Sequence, residues 1–287
     1  MKKDLLCLLD LEKKDFKSLF EKALTLKKRY KRGIFDKNLA GKTLGLIFDK
    51  KSTRTRVAFE TAMMQLGGNS IYMSTQETQI SRNEPAKDTA RVLSRYIDCL
   101  SMRTFDHSLV EEFAAHSTIP VINALTDFYH PCQVLSDIMT VIEKKGGYKD
   151  RKIVWVGDGN NVAASWINAA AVLDLDLVVA CPEKHAVSAD IIEKASAFGG
   201  SRTRFTDDPV AAVKDADVVY TDVWASMGQE GTLEEKLADF DGFQVNAQLL
   251  SKAKDDVMVM HCLPAHRDEE IAEEILEAPD SVIRSEE

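Results

Sequence analysis

Short apolar runs alternate with amphipathic stretches along nearly the whole chain. Residues 43–48 (TLGLIF), 69–74 (NSIYMS), 99–103 (CLSMR) and 120–125 (PVINAL) each read as a strand bounded by polar or glycine-containing turns. Between them, residues 56–66, 84–96 and 108–116 carry helical spacing, and helical segments precede the first strand in residues 11–32. Phe59, Met63 and Leu66, for example, recur at i, i+4 and i+7 before Gly67-Gly68 ends the helix. A long helix over 131–145 stops at Gly146-Gly147. A second series follows, with strands at 152–157, 175–181, 201–206, 217–223 and 257–263 and helices at 162–173, 188–200, 209–216 and 246–253. Strand–helix alternation implies parallel sheets covered by helices, here twice. The predicted fold is α/β, with two doubly wound parallel-sheet domains divided within the 131–145 helix, at 1–138 and 139–287.

In open α/β sheets, ligands gather beyond the carboxyl ends of the strands. The residues there are Ser52 to Arg56, Gln79, Arg103, His130 to Gln133, Asp158 to Asn161, Asp222 to Gly228 and His261 to Pro264. The run Ser52-Thr53-Arg54-Thr55-Arg56 sits at a strand-to-helix turn, where unpaired N–H groups and the helix dipole favour an anion such as phosphate. A helix cap with solvated arginines is the competing reading. The stretch VGDGNNVA also follows a strand and opens a helix, as a dinucleotide fingerprint does. Its third glycine position is Val162, however, which argues against a nicotinamide cofactor and leaves a glycine turn serving the backbone.

Composition narrows the function classes. A net charge of -9 argues against nucleic acid or an anionic membrane as the main partner, although an acidic chain can still hold a local cationic site. The five cysteines are scattered without a C-x-x-C pair, which suits neither a disulfide framework nor a zinc site and fits the reducing cytoplasm. The N-terminal apolar stretch is interrupted by Asp4, Asp10 and Glu12 and reads as an amphipathic helix, and no run is long enough to span a membrane.

Four motifs together, FDKKSTRTR, HPCQVLSD, DVWASMGQE and HCLPAHR, resemble the signature set of the transcarbamylase family, the last two its ornithine branch. The resemblance runs nearly end to end and implies a carbamoyl phosphate domain followed by an amino-acid domain. It implies carbamoyl transfer from carbamoyl phosphate to L-ornithine, giving L-citrulline and phosphate without a metal or other cofactor. By resemblance, Ser52, Thr53, Arg54 and Thr55 hold the phosphate and Arg103 neutralises it further. His130, Arg103 and Thr55 polarise the carbonyl. Gln133, one helical turn beyond His130, also points at the carbamoyl group, and Cys262 and Leu263 complete that subsite. Asn161, Asp222, Ser226 and Met227 bind ornithine, and Asp222 with Cys262 helps remove a proton from the attacking amine. The family assembles as a homotrimer or a higher assembly of trimers, with Gln79 on the loop contributed to a neighbour's site. Family members run on into an A-E-N-R stretch whose arginine contacts the carbamoyl group. No residue here matches it, since Arg284 precedes that place and Arg267 belongs to a different motif. A non-enzymatic relative acting as a ligand sensor tolerates that loss and stands as the alternative. An N-acylated ornithine or putrescine stands as another acceptor.

Overall fold

The computed structural model describes residues 4–74, 84–198, 202–225, 237–279 and 281–283. The chain forms two compact units that divide between Cys132 and Gln133. In the first, β1 (Thr43–Phe48), β2 (Asn69–Ser74), β3 (Cys99–Arg103) and β4 (Val121–Leu125) form a parallel sheet in the order β2-β1-β3-β4. Its helices are α1 (Lys13–Lys31), α2 (Arg54–Gln65), α3 (Ala86–Leu93) and α4 (His107–His116).

Strand alternation sorts the side chains of β1 onto two faces. Leu44, Leu46 and Phe48 pack with Met63 of α2. Ile47 goes to the opposite face, among Ala86 and Ala90 of α3 and Val110 and Phe113 of α4. Helices thus cover both faces, which explains why the strand reads as a continuous apolar run. The N-terminal segment lies along β4. Leu5 N–H donates to Val121 O at 2.9 Å and Asn123 N–H donates to Leu5 O at 2.8 Å, so backbone groups of β4 are paired rather than left open.

The second unit holds β5 (Lys152–Val156), β6 (Asp176–Ala180), β7 (Arg204–Thr206), β8 (Val218–Thr221) and β9 (Met258–His261), all parallel, in the order β7-β6-β5-β8-β9. Helix α5 (Pro131–Lys145) leads into it, followed by α6 (Asn161–Leu173), α7 (Ala189–Ser196), α8 (Pro209–Val213) and two short helices, Ala247–Leu250 and Glu273–Leu276. Val154, Val156 and Val219 pack with Trp224, Phe240 and Phe243. Trp155 stacks on Tyr220 at 5.3 Å between ring centroids, and Trp166 of α6 meets Tyr220 edge-on at 5.8 Å.

The two predicted parallel-sheet domains are therefore present. Helix ends differ by a few residues. Helix α2 begins at Arg54 rather than at residue 56, so Arg54, Thr55 and Arg56 lie in its first turn and Ser52 and Thr53 stand just before it. The helix expected to reach residue 96 ends at Leu93, where Ser94 Oγ donates to Ala90 O at 2.7 Å and turn bonds take over.

The glycine turn after β5 has backbone reasons of its own. Gly157 has φ of +134°, a conformation that side-chain-bearing residues rarely adopt. A Cβ on Gly159 would stand 2.4 Å from Val187 N and 2.5 Å from His185 O, because Gly159 N–H donates to that same carbonyl at 2.9 Å. Both obstacles are backbone and cannot rotate away. Gly159→Ala is therefore expected to destabilise the chain by about 3 kcal/mol, read as the shift in its urea-unfolding transition.

Candidate active site

The first sheet reverses its winding between β1 and β3, and such a switch point opens a crevice at the strand ends. The Ser52–Arg56 run follows β1 and Arg103 closes β3, so the topology brings them to the same place. Pairing between β3 and β4 slips by one residue at Met102/Arg103, a local irregularity that re-aims the chain where Arg103 stands. Arg103 is buried, and its Nη1 donates to Thr55 Oγ1 at 3.1 Å. Thr53 precedes α2 without making a side-chain capping bond. The cap reading thus loses its main support, and the first-turn N–H groups keep the polarity that suits an anion. Arg56 is occupied elsewhere: its Nε donates to Glu60 at 2.9 Å and its guanidinium lies 3.5 Å over the Tyr72 ring.

The neighbouring loops are tied to one another. Asp49 N–H donates to Arg103 O at 2.8 Å, and Thr104 Oγ1 donates to Asp49 Oδ2 at 2.9 Å. The buried Lys50 pairs with Asp127 and lies 4.4 Å over the Phe105 ring. Lys50 was absent from the sequence-level site, since a lysine beside another lysine reads as solvated surface. His130 is buried just before α5. Burial, with the positive charges of Arg103 and Lys50, lowers its pKa to about 3, so the ring is neutral at physiological pH. The thiols of Cys99 and Cys132 are pushed up by burial, to about 11 and about 12, and are inert as nucleophiles.

In the second unit the reversal falls between β5 and β8, where Asn160-Asn161 and Asp222 follow their strands. Asn160 was not among the expected ligand-binding residues, yet it ties this place together. Its Oδ1 caps α6 by accepting from Val162 N at 2.9 Å and Ala163 N at 3.2 Å, while its Nδ2 donates to Asp222 Oδ2 at 2.6 Å. The detectable signal was its position just before a helical pattern. Asn161 is the first residue of α6 and half-buried. Burial raises the pKa of Asp222; the His261 ring, the Cys262 thiol, Val223 N–H and the Asn160 amide partly hold it down.

The loop carrying Cys262 and Leu263 is fixed by a fully buried pair. His261 Nε2 lies 3.0 Å from Glu270 Oε1, and Leu263 N–H donates to His261 Nδ1 at 2.8 Å. Because Nδ1 accepts, the ring proton sits on Nε2 and points at Glu270. Leu263 has φ of +54°, an uncommon state for a branched residue, held by that bond. Asp222, His261 and Cys262 bring donor atoms within 4.8 Å of one another, and so do His266, Glu269 and Glu270. In the first group both nitrogens of His261 already have partners, so the imidazole can ligate an ion only by giving one up.

Gln79, Ser226, Met227 and Arg284 lie outside the described residues. Arg267 is engaged at the surface, with Nη2 2.9 Å from Glu277 and Nε 3.2 Å from Glu273. The other expected residues stand after strands, just before α5 or in its first turn.

Each α/β unit thus gathers polar side chains at its own switch point, an arginine-bearing helix start in one and a carboxyl–thiol pair in the other, within a two-domain α/β protein. The family model described as "Aspartate/ornithine carbamoyltransferase, carbamoyl-P binding domain" matches residues 3–143, and that described as "Aspartate/ornithine carbamoyltransferase, Asp/Orn binding domain" matches residues 149–287. An ornithine carbamoyltransferase of Syntrophus aciditrophicus is 54% identical over 283 residues, covering 99% of this chain and 94% of its own. The solved ornithine carbamoyltransferase of Pyrococcus furiosus superposes with a TM-score of 0.94 at 49% identity, covering 99% of this chain and 92% of that one. The anabolic enzyme of Campylobacter jejuni gives 0.92 at 41% identity, covering 99% and 94%. The chain belongs to the aspartate/ornithine carbamoyltransferase family, and its relatives place it among the ornithine carbamoyltransferases, which are transferases.

The neutral His130 sets a pH dependence. Its folded-state pKa lies below the ordinary histidine value of 6.5, so the unfolded chain takes up a proton that the folded chain refuses. This contribution to stability is fully present above that ordinary value and is lost as pH falls toward about 3. Imidazole NMR should show an unprotonated His130 throughout roughly pH 5 to 8, where an ordinary histidine titrates.

Proposed function

We propose that the chain transfers the carbamoyl group of carbamoyl phosphate to the side-chain amine of L-ornithine, releasing L-citrulline and phosphate. The observation that carries this reading is the uncapped start of α2 beside the buried Arg103–Thr55 pair. Carbamoyl phosphate is a small dianion with an electrophilic carbonyl. Ser52, Thr53, Arg54 and Thr55 hold its phosphate, with Arg103 supplying a charge that burial keeps from being screened.

Arg103, Thr55 and neutral His130 donate hydrogen bonds to the carbonyl oxygen and stabilise the oxyanion that forms there. Gln133 engages the carbamoyl nitrogen, and Cys262 and Leu263 belong to the same subsite. A histidine that stays neutral donates without adding a proton to the leaving oxygen. Arg54 balances charge as the phosphate departs.

Asn161, Asp222, Ser226 and Met227 bind the amino acid. The ornithine side-chain amine is protonated at neutral pH, with an ordinary pKa near that of lysine, about 10.4. It attacks only after losing a proton, and the Asp222–Cys262 pair assists that loss. Attack on the carbamoyl carbon gives a tetrahedral intermediate, which collapses with departure of phosphate and forms no bond to the protein. Positioning and charge neutralisation supply the rate.

The working protein is a cytoplasmic homotrimer or an assembly of trimers, with Gln79 serving a neighbouring subunit. The carbamoyl phosphate and amino-acid domains divide within α5. No helix among the described residues is long and apolar enough to cross a membrane.

The direct test offers carbamoyl phosphate with ornithine, aspartate or putrescine in parallel and measures ureido product. Product from ornithine alone is expected. Silence with all three, alongside retained carbamoyl phosphate binding, would point to a ligand sensor instead. Cys262→Ala should lower kcat about a hundredfold while changing KM for carbamoyl phosphate little; an unchanged kcat removes the thiol from the mechanism.

A further inference from the structure

Helix α5 carries a buried carboxyl that the reaction does not consume. Asp137 is fully buried one turn beyond Gln133, and Gln133 Nε2 donates to Asp137 Oδ1 at 2.9 Å. The spacing is i, i+4, so the helix itself delivers the two side chains to each other. The Tyr220 hydroxyl of β8 favours the charged form of this carboxyl, and the negative charge of Asp222 opposes it. A carboxyl buried so completely is costly unless it has work to do, and replacement by an apolar side chain is the cheaper way to fill such a site.

An amide has two faces of opposite polarity, and a glutamine free to rotate presents either of them. The carbamoyl nitrogen of the substrate carries only donors, so it needs an oxygen. We propose that Asp137 is the positioning residue that locks the Gln133 amide, holding its nitrogen inward so that its oxygen is the face turned toward the carbamoyl nitrogen. This rests on the placement of Gln133 at the carbamoyl group proposed above.

The lock works whether or not Asp137 carries a proton. Burial pushes its pKa up to about 8, and Asp222 adds to the rise, while Gln133 and Tyr220 hold it back. A proton residing on Oδ2 leaves Oδ1 as an acceptor for Gln133, so the amide keeps one orientation across the neutral range. The consequence is selectivity between carbamoyl phosphate and acetyl phosphate, which has a methyl group where the carbamoyl nitrogen stands. A donor-bearing nitrogen gains a bond that the methyl group cannot make, and a rotated amide would meet that nitrogen donor against donor.

The test compares the dissociation constants of both acyl phosphates and of inorganic phosphate. Gln133→Ala and Asp137→Leu should each cut the preference for carbamoyl over acetyl phosphate about tenfold, with inorganic phosphate binding unchanged. Their combination should cut it no further than either alone, the signature of one coupled pair. Asp137→Asn keeps an acceptor oxygen of the same shape and should retain most of the preference.

An Asp137→Leu chain that binds inorganic phosphate normally and keeps the full preference overturns the lock. A preference unchanged by Gln133→Ala instead overturns the placement of Gln133 and leaves the remaining reaction reading standing. If Asp137→Leu does not fold, the unaltered protein decides through side-chain amide NMR. Slow hydrogen exchange at Gln133 Nε2 supports the lock, and fast, rotationally averaged exchange overturns it.

Discussion

A parallel sheet covered on both faces leaves a polar side chain almost nowhere to go except the strand ends. In β1, β3, β5 and β8 the side chains inside the strands are nearly all buried, so polar chemistry is expelled to the turns that follow. Reversal of the winding then decides which turns become neighbours. Ser52–Arg56 meets Arg103 because β1 lies beside β3, and Asn160 meets Asp222 because β5 lies beside β8. The chemical groups of each unit are thus placed by strand order before any individual contact is considered.

What holds those groups is a second tier of hydrogen bonds behind them. His261 fixes Leu263 from one nitrogen and is itself fixed by Glu270 from the other. Asp49 ties the turns after β1 and β3 through a backbone and a side-chain bond. Burial keeps His130 neutral, and the charges of Arg103 and Lys50 push in the same direction.

The two-sheet architecture was legible in the chain because parallel strands are apolar throughout and the intervening helices are periodic. The polar turn after β1 stood out because two arginines and three hydroxyl groups crowd one turn after such a strand. Asp222 and Cys262 were not singled out by spacing and gained meaning only through motif resemblance. Asn160 and Asn161 were both read as strand-end amides, but only Asn161 was taken as an ornithine ligand, because adjacent amides are indistinguishable until the helix start is known. Lys50 escaped because burial of a lysine depends on Asp127 and Phe105, which lie far along the chain. Glycines 157 and 159 imitated a cofactor motif, although the close approach of residues 185–187 accounts for the second of them.

The amide of Asn160 belongs to two circuits at once, the start of α6 and the orientation of Asp222. A serine or aspartate could satisfy the helix, and many donors could satisfy the carboxylate, but few side chains offer an acceptor and a donor from one rigid plane. Drift at this position is consequently confined from two directions. A substitution selected for a firmer helix would loosen the carboxylate, and one selected for the carboxylate would fray the helix. Folding and chemistry share a single point of failure here, and heredity cannot tune one without disturbing the other.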